Sequence, residues 1–221
     1  MLRFPCLVLD HDDTVVNSTA TIHYPAYLEA MEKMRGGSDL TLEDYFRFNF
    51  DPGFNEYMRD VHHFTEADFD EEYQIWQSCV KRKIPQAYPG IDRIIRRQLE
   101  AGGHVCVVSH SVDVNIRRDF RANGLPEPEL IYGWERPKEE RKPHPFPLLD
   151  IMKKLDLRPE QLLMVDDLKP GFDMAQAAGV PFAAALWAHR IPEIHDFMRQ
   201  YSKNCFDAPE KLGKWLFDSE Q

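Results

Sequence analysis

The 221-residue chain contains no apolar run approaching the roughly 18 residues that a membrane-crossing helix requires, so no membrane span is expected. No basic stretch followed by an apolar one stands at its start, and no secretion leader is expected. Cysteine is scarce: Cys6, Cys79, Cys106 and Cys205 lie far apart, without the paired spacing of a metal module or the density of a disulfide framework. They read as buried thiols of a reducing compartment, and the expected location is the cytoplasm. Basic residues are outnumbered, 27 against 37 acidic, giving a net charge of −10. That balance disfavours nucleic acid or an anionic membrane surface as partner. Repeats and low-complexity tracts are also missing.

What is present is organised around residues 4–18, where the apolar Cys6-Leu7-Val8-Leu9 runs into Asp10, Asp12 and Asp13. A continuously apolar run is the signature of a strand buried on both faces of a parallel sheet, and open α/β sheets bind ligands where such strands emerge. In extended backbone the Asp10 and Asp12 side chains share one face, with Thr14 just beyond. Acids crowded at one strand end repel each other unless a cation neutralises them, and a hard, oxygen-liganded ion such as Mg²⁺ suits carboxylates. The plainer reading of Asp-Asp-Thr is an Asx turn or a helix cap.

Residues 19–86 change character, with aromatic, Met and charged residues at helical spacing. The pattern predicts helices over 24–35, after Thr41, over 54–63, and from Thr65 to about 83; Asp44 and Asp68 stand three residues after their capping threonines. From residue 87 onward helix and strand alternate, as in right-handed βαβ units. Strands are expected at 104–108, 130–134, 162–165, 181–186 and near 205–207. Helices are expected at 91–101, 112–122, 146–155, 172–178, 191–201 and at the end to about 217. The fold class is therefore α/β, a Rossmann-like parallel sheet formed by residues 1–18 and 87–221, with an inserted all-helical domain at 19–86.

Three later strand ends carry further chemistry. Ser109 follows Val105-Cys106-Val107-Val108 and suits either a phosphate contact or the N-cap of the next helix, a role Ser111 also suits. Lys142 lies in Arg141-Lys142-Pro143-His144-Pro145, a loop that proline holds extended; Arg136, Lys138 and Arg141 read as a solvated charged face. Leu163-Met164-Val165 ends in Asp166-Asp167, adjacent acids that are costly there unless they meet a cation. His23, Tyr24, Tyr27, His62 and His63 of the insertion read chiefly as packing and solvated residues.

The ordered series Asp10-x-Asp12-x-Thr14, Ser109, Lys142-Pro-x-Pro and Asp166-Asp167 resembles the four motifs of the haloacid dehalogenase-like hydrolases across essentially the whole chain. The helical insertion resembles the cap of the phosphoglycolate phosphatase and β-phosphoglucomutase branch. The resemblance implies a Mg²⁺-dependent phosphatase acting on a small phosphorylated metabolite through an aspartyl-phosphate. It makes Asp10 the nucleophile and Asp12 the general acid and base. Ser109 and Lys142 then hold the phosphoryl group, while Asp10, the backbone carbonyl of Asp12, and Asp166 or Asp167 hold the metal. A phosphomutase and a non-catalytic phosphate-binding regulatory module are the alternatives. Three features depart from the family pattern. Asp13 stands where glycine is usual after the second acid. In the fourth motif, usually Gly-Asp with another acid four residues on, Asp166 stands at the glycine, with Asp167 aligned on the usual acid. The second acid falls on Gly171, leaving Asp166 to compensate or Asp173 to reach back.

Overall fold

The computed structural model describes residues 2–218, and the chain divides into two compact units: one runs to Asn17 and resumes at Gln86, the other is Ser18–Pro85. The second is helical, with a π-helical turn (Thr19–His23) leading into α1 (Tyr24–Arg35), then α2 (Leu42–Phe50), α3 (Phe54–Asp60) and α4 (Glu66–Arg82). Ala26 and Ala30 lie one helical turn apart on α1, and their small side chains let α4 approach closely through Ile75 and Cys79. A second cluster joins Tyr27 and Met31 of α1 to Tyr45 and Phe48 of α2 and Met58 of α3. Both capping boxes form: Thr41 and Thr65 accept from the backbone N–H of Asp44 and Asp68, whose carboxylates accept from the threonine N–H groups in return.

In the other unit, β1 (Cys6–Leu9), β2 (His104–Val108), β3 (Leu130–Tyr132), β4 (Leu162–Asp166), β5 (Phe182–Ala185) and β6 (Asn204–Phe206) form one parallel sheet in the order β3-β2-β1-β4-β5-β6. The helices between and after them are α5 (Ile91–Glu100), α6 (Asp113–Ala122), α7 (Phe146–Leu155), α8 (Lys169–Ala178), α9 (Pro192–Tyr201) and α10 (Pro209–Phe217). Every residue of β1, β4 and β5 is buried, which is why these segments show no polar alternation. Leu7, Leu9, Val105, Val107, Leu163 and Val165 form one core with Ile94 and Ile95 of α5, Phe120 of α6 and Leu212 of α10. The alternate residues Cys6, Val8, Cys106 and Met164 are buried too. This is the Rossmann-like α/β architecture that the sequence pattern predicts.

After β1 the chain builds β2 and β3 to one side, then crosses to β4 on the other. The loops after β1 and β4 therefore diverge, and the crevice this leaves at the carboxyl ends of the strands is the ligand position of open α/β sheets.

Helix α8 begins at Lys169, earlier than the apolar spacing from Phe172 suggests, because Pro170 sits in its first turn where a missing N–H is harmless. Thr65→Ala is expected to lower stability by about 1 kcal/mol in urea unfolding. Asp68 is held down to about 2 by the Thr65 hydroxyl and amide and by Arg35. Its folded pKa lies below the unfolded value near 4, so its contribution holds above about pH 4 and fades as pH falls toward 2. The stability gap between wild type and Thr65→Ala should narrow over that window.

Candidate active site

Asp10 directly follows β1, and its N–H donates to the Val165 carbonyl at 2.9 Å, across the pair of strands where the order reverses. Asp166 ends β4 and Asp167 follows it, so the register that aligns Leu9 with Val165 brings all three acids to one end of the crevice. Their carboxylate oxygens lie within 4.8 Å of one another. Lys142 enters from the loop between β3 and α7. Its ammonium donates to Asp10 Oδ1 at 2.5 Å and to Asp166 Oδ2 at 2.8 Å. The loop is fixed from behind: His110 Nε2 donates to the Lys142 carbonyl at 2.9 Å, and the Arg141 guanidinium lies 4.1 Å from the Trp134 ring centre. Arg136 instead pairs with Glu140, and Lys138 is exposed. Lys142 alone of that basic group is buried, at 8% exposure.

The electrostatics are those of a site short of positive charge. Burial pushes Asp10 well above the usual carboxylate range, and the charges of Asp166 and Asp12 add to this against the opposing pull of Lys142. Burial, Asp166, Asp10 and Asp13 do the same to Asp167. Burial would lower Lys142, but Asp10 and Asp166 outweigh it and hold the ammonium well above its ordinary value. Asp167 Oδ2 is buried with no hydrogen-bond partner among the described residues. Both oxygens of Asp166 are engaged, Oδ2 by Lys142 and Oδ1 by the N–H of Leu168. Clustered carboxylates with an unsatisfied buried oxygen fit a hard cation that takes oxygen ligands. Asp173 is not part of this group.

Asp12 Oδ2 accepts from Ser111 Oγ at 2.7 Å and Ser109 Oγ at 3.3 Å. Neither serine caps α6. That helix starts after Val112, and the Glu135 carboxylate accepts from the Asp113 N–H instead, at 2.9 and 3.1 Å. Gly133 permits this approach: a Cβ there would stand 2.9 Å from both the Asp113 nitrogen and the Ser111 carbonyl oxygen. His11, between the two acids, belongs to the opposite side of the loop. Fully buried, it stacks on Phe120 and donates from Nε2 to Asp119 Oδ2 at 3.2 Å, while Arg118 holds the other oxygen of Asp119. Sequence reading missed Ser111 and the His11–Asp119 tie. The first was read as a cap; the second joins residues 108 positions apart with no local signal.

The departures from the motif pattern at Asp13, Asp166 and Gly171 have structural answers. Asp13 adopts φ 60°, the left-handed conformation that aspartate tolerates better than most residues, so the turn usual for glycine is kept. Its carboxylate is buried and accepts from the Tyr88 hydroxyl at 3.4 Å. At Gly171 a Cβ would lie 2.0 Å from Asp166 Oδ2 and 2.6 Å from its Cβ. The Asp166 side chain thus fills the room over residue 171. Thr14 is fully buried, its hydroxyl without a hydrogen-bond partner among the described residues.

In the helical unit, Tyr24 donates to the Leu40 carbonyl, Tyr27 bonds Ser38, and His23 accepts from the Trp76 indole. His62 packs edge-on against Tyr57 and Phe64. These are packing residues of that unit.

The family described as haloacid dehalogenase-like hydrolase matches residues 7–185. The chain is 23% identical over 214 residues to a phosphoglycolate phosphatase of Mesorhizobium japonicum, covering 92% of each sequence. In structure it is similar to a predicted phosphoglycolate phosphatase from Haemophilus somnus, with TM-score 0.79 and 18% identity over 97% of this chain and 99% of that one. It is also similar to CbbY from Rhodobacter sphaeroides in complex with xylulose-(1,5)bisphosphate, with TM-score 0.71 and 18% identity over 95% and 96%.

Gly171→Ala should force the Asp166 carboxylate out of its place beside Lys142. The expected loss is about 2 kcal/mol in urea unfolding. Combining Asp166→Gly with Gly171→Asp, which moves the acid to the helix and empties the room over it, is expected to recover most of that loss. A double variant as unstable as Gly171→Ala would show that the two positions do not share one space.

Proposed function

The chain belongs to the haloacid dehalogenase-like hydrolase family, and from that premise we propose that it is a Mg²⁺-dependent phosphatase of a small phosphorylated metabolite. The observation that carries the reading is the convergence of Asp10, Asp166, Asp167 and the Lys142 ammonium at the strand-order reversal. Three buried carboxylates share a single lysine there, an arrangement suited to a cation that would in turn draw a substrate's oxyanions.

Asp10 is the nucleophile. Its carboxylate oxygen forms a bond to phosphorus as the bond from phosphorus to the ester oxygen breaks, giving an aspartyl-phosphate. Asp12 hands its proton to the departing alkoxide. In the second half-reaction it takes a proton from the water that attacks phosphorus, and Asp10 is released with inorganic phosphate. Ser109 and Lys142 donate to the phosphoryl oxygens throughout. Asp10, the backbone carbonyl of Asp12, and Asp167 would hold the metal, Asp167 being preferred because Asp166 already serves Lys142 and the Leu168 amide. When bound, Mg²⁺ supplies the positive charge that lets an anionic carboxylate approach an anionic ester.

The Ser18–Pro85 unit, inserted directly after the first acids, serves as the substrate-selecting cap. The Cys6 thiol donates to Cys106 Sγ at 3.9 Å with no disulfide between them, and all four cysteines are free, which suits a reducing cytoplasm. No helix among the described residues is long and apolar enough to cross a membrane. The names of the relatives make phosphoglycolate the first substrate to test, with phosphorylated sugars next.

Purified protein is expected to release inorganic phosphate from p-nitrophenyl phosphate with Mg²⁺ and to stop when EDTA is added. Asp10→Asn should reduce turnover by at least about 1,000-fold while leaving the fold intact by circular dichroism. Equal activity of wild type and Asp10→Asn would remove Asp10 from the nucleophile position.

A further inference from the structure

Ser111 has no part in the mechanism above, yet its hydroxyl donates to the Asp12 carboxylate at 2.7 Å, closer than Ser109 at 3.3 Å. We infer that Ser111 is the positioning residue for Asp12, holding one carboxyl oxygen so that the other is aimed at the ester oxygen. This rests on the phosphatase reading and concerns the same site.

Three observations carry it. First, the ordinary role for a serine at this place, capping α6, is filled by Glu135, so the Ser111 hydroxyl is committed elsewhere. Second, Ser111 is set rigidly. Its N–H donates to Ser109 Oγ at 3.0 Å, its carbonyl accepts from the Trp134 N–H at 3.0 Å, and it is 5% exposed. A hydroxyl on so fixed a backbone defines a direction, which a hydroxyl on a mobile loop does not. Third, the two serines differ in what they can keep. Ser109 must turn its hydroxyl toward a phosphoryl oxygen when substrate arrives, and its longer bond to Asp12 is then given up. Ser111 remains to hold the carboxyl group while the proton moves. Asp12 needs such an anchor, because a carboxyl rotated about its Cβ–Cγ bond carries its proton away from the leaving oxygen.

The test uses the leaving group. An alkyl phosphate releases a strongly basic alkoxide and depends on the proton from Asp12; p-nitrophenolate is weakly basic and leaves with little help. In Ser111→Ala, kcat/KM on an alkyl phosphomonoester that the wild type hydrolyses, which reports only the steps up to departure of the leaving group, should fall about 10-fold or more. On p-nitrophenyl phosphate the loss in kcat/KM should stay within about twofold, and Ser111→Thr, which keeps the hydroxyl, should recover most of the alkyl phosphate kcat/KM. Because the readout is a ratio of two substrates on one preparation, a partly misfolded sample does not change it. Equal losses on both substrates, or none on either, would overturn the positioning role while leaving the phosphatase reading in place. A wild type that hydrolyses no phosphomonoester would overturn both.

Discussion

The arrangement of the whole sheet unit turns on one buried ammonium. Lys142 sits between Asp10 and Asp166, groups 132 and 24 residues away in the chain, and none of the three is more than 8% exposed. An isolated charge in such a place would cost several kcal/mol, so each group is tolerable only where the others stand. That requires β1 and β4 to be neighbours in the register that aligns Leu9 with Val165, and it requires the loop after β3 to be drawn back over the strand ends. Parallel pairing and the site are consequences of the same constraint.

Around that centre the side chains divide the work by the face they occupy. Asp10 and Asp12 meet the lysine and the two serines, while His11 between them meets α6 through Asp119 and Phe120. Asp119 is shared with Arg118, so the loop that bears the acids is clamped to a helix already seated in the core. A polar contact of this kind contributes little net stability over an apolar pair, but it holds one geometry and so fixes where the acids of the loop stand.

The strands and most helices are legible from apolar runs and capping residues because those signals are local. Thr65 with Asp68 three residues on needs nothing remote to make a cap. The same holds for Asp10 and for Asp166 with Asp167, since acids that end an apolar strand carry their own warning. Ser111 was not legible. Whether it caps α6 or holds Asp12 depends on Glu135, which comes from the far side of β3 and reaches the helix start only because Gly133 leaves room.

From the residue pattern alone came the class of fold, the inserted helical segment and the acids, serine and lysine that gather at the crevice. These follow from periodicity and from the chemical oddity of charges at apolar strand ends, both properties of short stretches of chain. The division of labour among them came from tertiary structure: Asp166 on Lys142, with Asp167 Oδ2 lacking a hydrogen-bond partner among the described residues, Ser111 on Asp12, and Asp166 filling the space over Gly171. Each of those depends on distances between segments remote in the chain, and only the packed sheet sets such distances.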